Sequence, residues 1–152
     1  MVDQLTTVGT DPAPQTRAKS GGVVNPFVWG TGRRKTAVAR VRIKHGEGKF
    51  MINKREVDSF FGQLKDREAV RKPLNVTETA KSYDVFVNVR GGGVSGQAGA
   101  IVLGLARALK GMSADYEPKL REHKLLSRDS RKVERKKYGQ SGARRRFQFS
   151  KR

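Results

Sequence analysis

Residues 83–112, YDVFVNVRGGGVSGQAGAIVLGLARALKGM, hold two periodicities joined by a run of glycine. Tyr83, Val85, Val87 and Val89 alternate, the period of two that marks a strand over 83–89. After Gly91-Gly92-Gly93, the positions Ala98, Ile101, Val102, Leu105, Leu109 and Met112 recur at helical spacing, and Gly111 lies near the stop. Ser95 suits the N-cap, because its hydroxyl can accept an orphan backbone N–H. A strand turning at once into an apolar-striped helix is a sheet-and-helix unit.

Toward the N-terminus, Ala37, Ala39, Val41 and Ile43 alternate with Val38, Arg40 and Arg42. Residues 36–43 therefore read as a strand with one apolar and one largely basic face, its pattern reaching back toward Trp29. His45-Gly46-Glu47-Gly48 is a turn, and Lys49–Ile52 reads as the return strand of a hairpin. Asn53-Lys54 is a second turn. Residues 57–71, VDSFFGQLKDREAVR, carry short helical patterns that Pro73 limits. A shorter helix is expected over 118–126. The order β-β-α-β-α, with few strands and no repeat, predicts the α+β class.

Composition sets the outer bounds. The chain has 152 residues, 36% of them apolar and 31% charged, and no cysteine. That length allows one domain plus tails. Without cysteine there is no disulfide scaffold, thiolate zinc site or cysteine nucleophile. No run of about 18 apolar residues exists to span a membrane. The net charge of +19 calls for a polyanionic partner, nucleic acid before an anionic membrane surface.

The charge is unevenly placed. Residues 1–28 are neutral overall, residues 29–126 carry +10, and residues 127–152 carry +9. The first segment holds Asp11-Pro12-Ala13-Pro14 and Ser20-Gly21-Gly22, the composition of a disordered leader. It lacks the basic and apolar regions of a secretory signal. Residues 29–126 are the expected domain and 127–152 a basic tail.

Several motifs point to phosphate. Gly91, Gly93 and Gly96 match G-x-G-x-x-G between a strand and a helix, yet the strand that a dinucleotide fold needs next is missing. A tight turn accounts for these glycines, and so do backbone amides meeting an RNA phosphate. Gly30-Thr31-Gly32-Arg33-Arg34-Lys35-Thr36 lacks the spacing of a phosphate loop and precedes a strand. Its cations read as a phosphate-backbone patch, or as a solvated basic face. His45 and His123 lack partners at metal-ligand spacing, and no G-x-S-x-G elbow occurs. No catalysis, cofactor, metal or small-molecule substrate is expected.

The tail is the strongest signal read from residues alone. Arg131-Lys132, Arg135-Lys136-Lys137, Arg144-Arg145-Arg146 and Lys151-Arg152 form four basic clusters, with Tyr138, Phe147 and Phe149 between them. Guanidiniums pair with phosphates, and aromatic rings stack on bases. Such a segment repels itself and stays extended until RNA neutralises it. A nuclear-localisation or membrane-surface tract would not need aromatics interleaved to the last residues.

Four stretches, GTGRRKTAVARV (30–41), VRGGGVSGQAGAI (89–101), LLSRDSRKVERKKYG (125–139) and GARRRFQFSKR (142–152), resemble the ninth protein of the small ribosomal subunit. The resemblance runs in order from about Trp29 to Arg152. It implies an α+β fold shared with the second domain of ribosomal protein five, including a left-handed β-α-β crossover. It implies a place in the head of the small subunit, on ribosomal RNA and beside other head proteins. The tail would thread through RNA toward the peptidyl site, where Ser150, Lys151 and Arg152 approach the tRNA anticodon stem-loop. Arg144, Arg145 and Arg146 match the family's RNA-buried cluster, while Ser141 stands where many relatives carry Lys or Arg. The superfamily's small-molecule kinases share the fold, but their phosphate loop and metal ligands are not recognisable here.

The residues expected on ribosomal RNA are thus Arg33, Arg34, Lys35, Arg40, Arg42, Arg90, Gly91, Gly92, Gly93, Ser95 and Gln97 in the domain. In the tail they are Arg128, Arg131, Lys132, Arg135, Lys136, Lys137, Tyr138, Arg144, Arg145 and Arg146. The expected location is the bacterial cytosol, with an organellar ribosome as the alternative. An architectural DNA-binding protein and a phosphate-handling enzyme are the competing functions.

Overall fold

A computed structural model describes residues 26–151. The segment expected as a leader falls mostly outside the described residues, and so does Arg152. The elements run β1 (Val28–Arg34), β2 (Ala37–His45), β3 (Phe50–Ile52), β4 (Arg55–Glu56), α1 (Val57–Phe60), α2 (Leu64–Val76), β5 (Tyr83–Arg90), α3 (Val94–Met112) and α4 (Tyr116–Glu122). The class is α+β, as expected: one five-stranded sheet in the order β1-β2-β5-β3-β4, with helices packed on it.

The alternating pattern that reaches back to Trp29 belongs to two strands. Arg34 pairs with Ala37, so Lys35-Thr36 is a two-residue turn closing a hairpin. Lys35 takes φ 51°, the left-handed region that such turns need. β1 begins at Val28, the last residue of the expected leader.

The return strand is corrected more sharply. β3 does not pair with β2, because β1 and β5 already occupy both of its edges. β3 instead lies parallel to β5, with Phe50 opposite Val85, Met51 opposite Phe86 and Ile52 opposite Val87. Asp84 on β5 guides the crossing chain. Its carboxylate accepts N–H bonds from Glu47 (3.0 Å), Gly48 (3.2 Å) and Lys49 (3.0 Å), and Lys44 Nζ lies 3.7 Å away. The Lys49 N–H above all holds this carboxyl below its ordinary pKa, although the site is only 7% exposed and burial opposes that shift. Asn53-Lys54 does turn the chain into β4, both residues with positive φ.

One face of the sheet is the core. Ala37, Ala39, Val41 and Ile43 are fully buried beside Val85, Val87 and Val89, and α3 lays Ala98, Ile101, Leu105 and Leu109 on them. The glycines of β1 set how close α3 comes. A Cβ on Gly30 would overlap the Gly104 carbonyl, and one on Gly32 would overlap the Ala100 carbonyl. Ala100, Gly104 and Ala108 recur every four residues, so they form one stripe of the helix against the bare strand.

Two helix boundaries differ from expectation. Pro73 does not end α2, which continues to Val76; its ring is buried in the core, and the turn tolerates one missing N–H. The Thr77 hydroxyl then donates toward the carbonyls of Pro73 (3.0 Å) and Leu74 (3.3 Å). Ser95 is not the N-cap of α3. Gly93 occupies that position, because Gly91 and Gly92 (φ 74° and 65°) turn the chain one step earlier. The Ser95 hydroxyl points instead toward Asp66, 3.5 Å away. α4 starts at Tyr116 and stops at Glu122, earlier than expected at both ends.

Candidate nucleic-acid interface

The alternation that buries one face of the sheet exposes the other. Register aligns the outward side chains in rows: Trp29, Arg42, Phe86 and Met51; then Thr31, Arg40 and Asn88; then Arg33, Val38 and Arg90. Arg33, Arg40, Asn88 and Arg90 are exposed. None of Arg33, Arg40, Arg42 and Arg90 forms an ion pair among the described residues. The Arg42 guanidinium lies 5.4 Å from the Phe27 ring centre, 5.5 Å from Phe86 and 6.0 Å from Trp29. Cations on one face with no carboxylate partner, one of them held among rings, suit a phosphate backbone.

A second positive edge forms where the two turns meet. A Cβ on Gly91 would come within 2.8 Å of the Thr36 carbonyl oxygen, and Gly92 packs on Ala37 and Thr36. The glycine turn therefore sits directly on the Lys35-Thr36 turn. Gln97 Nε2 donates to the Gly91 carbonyl (3.1 Å), so this side chain braces the turn. Exposed Lys35, Arg90 and Ser95 surround it with the start of α3.

Arg34 plays a different part. Its guanidinium donates to the Ser95 carbonyl (3.1 Å) and, through two nitrogens, to Asp129 Oδ2 (3.3 and 3.1 Å). It ties β1 and the first turn of α3 to the root of the tail. Asp129 also accepts from the Arg131 side chain (as close as 2.8 Å) and backbone (3.0 Å). Arg131 first, then Arg34, hold its carboxyl far below the usual range.

Beyond Glu122 no regular element forms through residue 151. The tail is nevertheless locally tied. Glu134 accepts from Arg144 at 2.6 and 3.2 Å, with Lys137 Nζ 3.9 Å away, and Arg144 depresses the pKa of Glu134. Between those residues the Lys137 N–H reaches the Gly142 carbonyl (3.3 Å). The Ser141 N–H (3.0 Å) and hydroxyl (3.1 Å) reach the Arg145 carbonyl. Residues 134–145 thus close into a hook. Arg128, Lys132, Arg135, Lys136, Arg145, Arg146 and Lys151 have no ion pair among the described residues. Tyr138 is 97% exposed and Phe149 83%, with Phe147 and Ser150 also open to solvent.

Three features escaped sequence reasoning. The aromatic row around Arg42 depends on cross-strand register. The packing role of Gly30 and Gly32 depends on a helix some 70 residues away. Asp129 and Glu134 did leave a signal, being the only acids in the tail. Among the described residues, no three His, Asp or Glu side chains gather as metal ligands, and no helix is long and apolar enough to cross a membrane.

Comparison with known proteins accounts for nearly all of the described chain. A family model described as ribosomal protein S9/S16 matches residues 32–152. Two relatives, from two strains of Treponema pallidum, are both named "Small ribosomal subunit protein uS9". Each is 58% identical over 123 residues, covering 81% of this chain and 95% of the relative. A match of that depth, running through both the domain and the tail, means that the chain belongs to the ribosomal protein S9/S16 family.

Proposed function

We propose that the chain is a structural, non-catalytic constituent of the small ribosomal subunit, in the cytoplasm of a bacterium. Its domain and tail bind ribosomal RNA, and its C-terminal tip supports peptidyl-site tRNA. The observation that carries the reading is the unneutralised cations of the open sheet face and the tail. Both tail acids are already engaged, by Arg34, Arg131 and Arg144, so the tail's other cations are left for a polyanion.

The roles divide by geometry. Arg33, Arg40, Arg42 and Arg90 on the sheet face meet RNA phosphates, and so do Lys35, Gly93 and the first turn of α3. Gly91, Gly92 and Gln97 shape that edge, and Arg34 positions the tail. Arg128, Lys132, Arg135, Lys136, Arg145 and Arg146 line the tail's RNA path, with Tyr138 stacking beside them. Arg131, Lys137 and Arg144 hold the tail's acids and can exchange those partners for phosphates. Ser150, Lys151 and Arg152 reach the tRNA backbone without reading bases. In this reading the domain lies in the subunit head beside other head proteins, and the β3-to-β5 connection is the left-handed crossover that the resemblance implies.

Sedimentation tests the assembly role: the chain should travel with small subunits through a moderate-salt gradient. Removing residues 151–152 should leave that unchanged while tRNA leaves the peptidyl site faster. Unchanged tRNA off-rates would remove the tRNA role and spare the RNA-binding role.

A further inference from the structure

The outward row Trp29–Arg42–Phe86 is more than a basic surface. Trp29 stands on the edge strand and is 54% exposed. Phe27 and Phe86 meet edge to face at 6.1 Å, and the Arg42 guanidinium is set against both rings and Trp29. Lys44 Nζ lies 5.9 Å from the Phe86 ring centre. One row further, Val38, Arg40, Asn88, Val89 and Arg90 line a shallow cleft of about 300 Å³. The face carries the cations Arg33, Arg40, Arg42, Lys44 and Arg90. Of its carboxylates, Asp84 is turned into the 47–49 loop with Lys44 beside it, and Glu56 lies opposite Met51 on the far edge strand, away from Trp29 and Arg40.

Phosphates alone would need only the cations. An exposed indole beside a planar guanidinium suits the face of a nucleobase, and a base offers that face only when it is unpaired. We propose that this face is a stacking site for an unpaired RNA nucleotide. The base lies on Trp29 and the Arg42 plane, its flanking phosphates meet Arg40 and Lys44, and the Asn88 amide is placed for a base edge. Phe27 and Phe86 hold Arg42 flat, and so act as positioning residues. This assignment rests on the RNA-binding reading of the domain and names the kind of RNA that the sheet face takes.

Trp29 is the only tryptophan, so its fluorescence reports on the site directly. The full chain is titrated with two short RNA hairpins that differ by one bulged adenosine. The bulged hairpin should quench Trp29 and the perfect duplex should not. By anisotropy of labelled RNA, Trp29→Ala and Arg42→Met should each lose about tenfold affinity for the bulged hairpin, the worth of one stacked base. Duplex affinity should stay the same in Trp29→Ala, and in Arg42→Met it should fall by no more than one phosphate contact, well short of the loss on the bulged hairpin. Trp29→Phe, which keeps a ring, should retain most of the preference. Arg145→Ala should weaken both RNAs alike. Equal quenching by both hairpins, or equal losses on both in Trp29→Ala, would overturn the stacking site and leave a phosphate-tracking face. RNA binding with no change at Trp29 would overturn the stacking site as well. Failure to bind either hairpin would remove the RNA-binding reading itself, a result distinct from the others.

Discussion

The domain and the tail carry nearly equal excess charge, +10 and +9, yet they are held in opposite ways. In the domain, order comes from apolar packing: a sheet face of Ala, Val and Ile under a helix that only glycine lets approach. Its ion pairs are mostly at the surface, where such pairs contribute little. In the tail the large apolar groups, Val133, Tyr138, Phe147 and Phe149, are exposed, and the two carboxylates do the ordering. Asp129 fastens the tail's root to the domain, and Glu134 closes the hook. One region is thus insensitive to salt and intolerant of volume. The other tolerates volume and responds to salt.

That contrast fails or sharpens under mutation. Gly32→Val forces a branched side chain into the Ala100 backbone, and should cost about 3 kcal/mol or more, read as a fall in thermal midpoint. A stable Gly32→Val protein would mean that the β1–α3 approach does not organise the domain. Deleting residues 127–152 should leave the thermal midpoint within the range of surface changes, about 0.5 kcal/mol. RNA affinity near 0.1 M salt should drop on the order of 100-fold, and the salt slope should shrink by about 0.9 for each lost contact to a paired phosphate. A large fall in midpoint would show the tail to be part of the core.

Asp84 is the case where charge does organise the domain. Asp84→Asn weakens three N–H bonds and should cost about 2 kcal/mol, a value within the range for a buried group losing its partner. The folded carboxyl has a pKa below its unfolded value, which is about 3.9. Its contribution is therefore complete above that unfolded value and disappears as pH falls through the lower folded value. An acid titration of stability should be steeper in the natural protein than in Asp84→Asn. The smallest effect is expected from Asp129→Asn with Glu134→Gln. Thermal midpoint should hold, while backbone NMR order over 129–145 decreases to what the natural chain shows in 1 M salt.

The parts of this organisation that could be read from sequence were the local ones. β5 and α3 follow from unbroken periods of two and of 3.6, and the inner face of β2 from Ala37 to Ile43. The β1–β2 boundary was hidden because Lys35-Thr36 carries no Gly, Pro or Asn, although the two-residue hairpin turn puts Lys35 in the left-handed region. The partner of β3 was hidden because Asp84, more than 30 residues on, decides it. For the site, the cations are plain in the sequence. Whether each is open is not: Arg34 differs from Arg33 only in which side of the strand it faces, and that side holds Asp129.

The strand order also constrains how the protein is made. β2 needs β1, its neighbour in sequence, and β5, whose first residue is 38 positions beyond the end of β2. The glycines of β1 find their cover only in α3. At synthesis rates of about 5–20 residues per second, a nascent chain that has finished β1 at Arg34 waits roughly 4–16 s for Met112. During that interval the hairpin's apolar side is bare and available to chaperones or to the wrong partner. The basic tail follows the domain along the chain, so the polyanion-seeking segment emerges only after the domain can close.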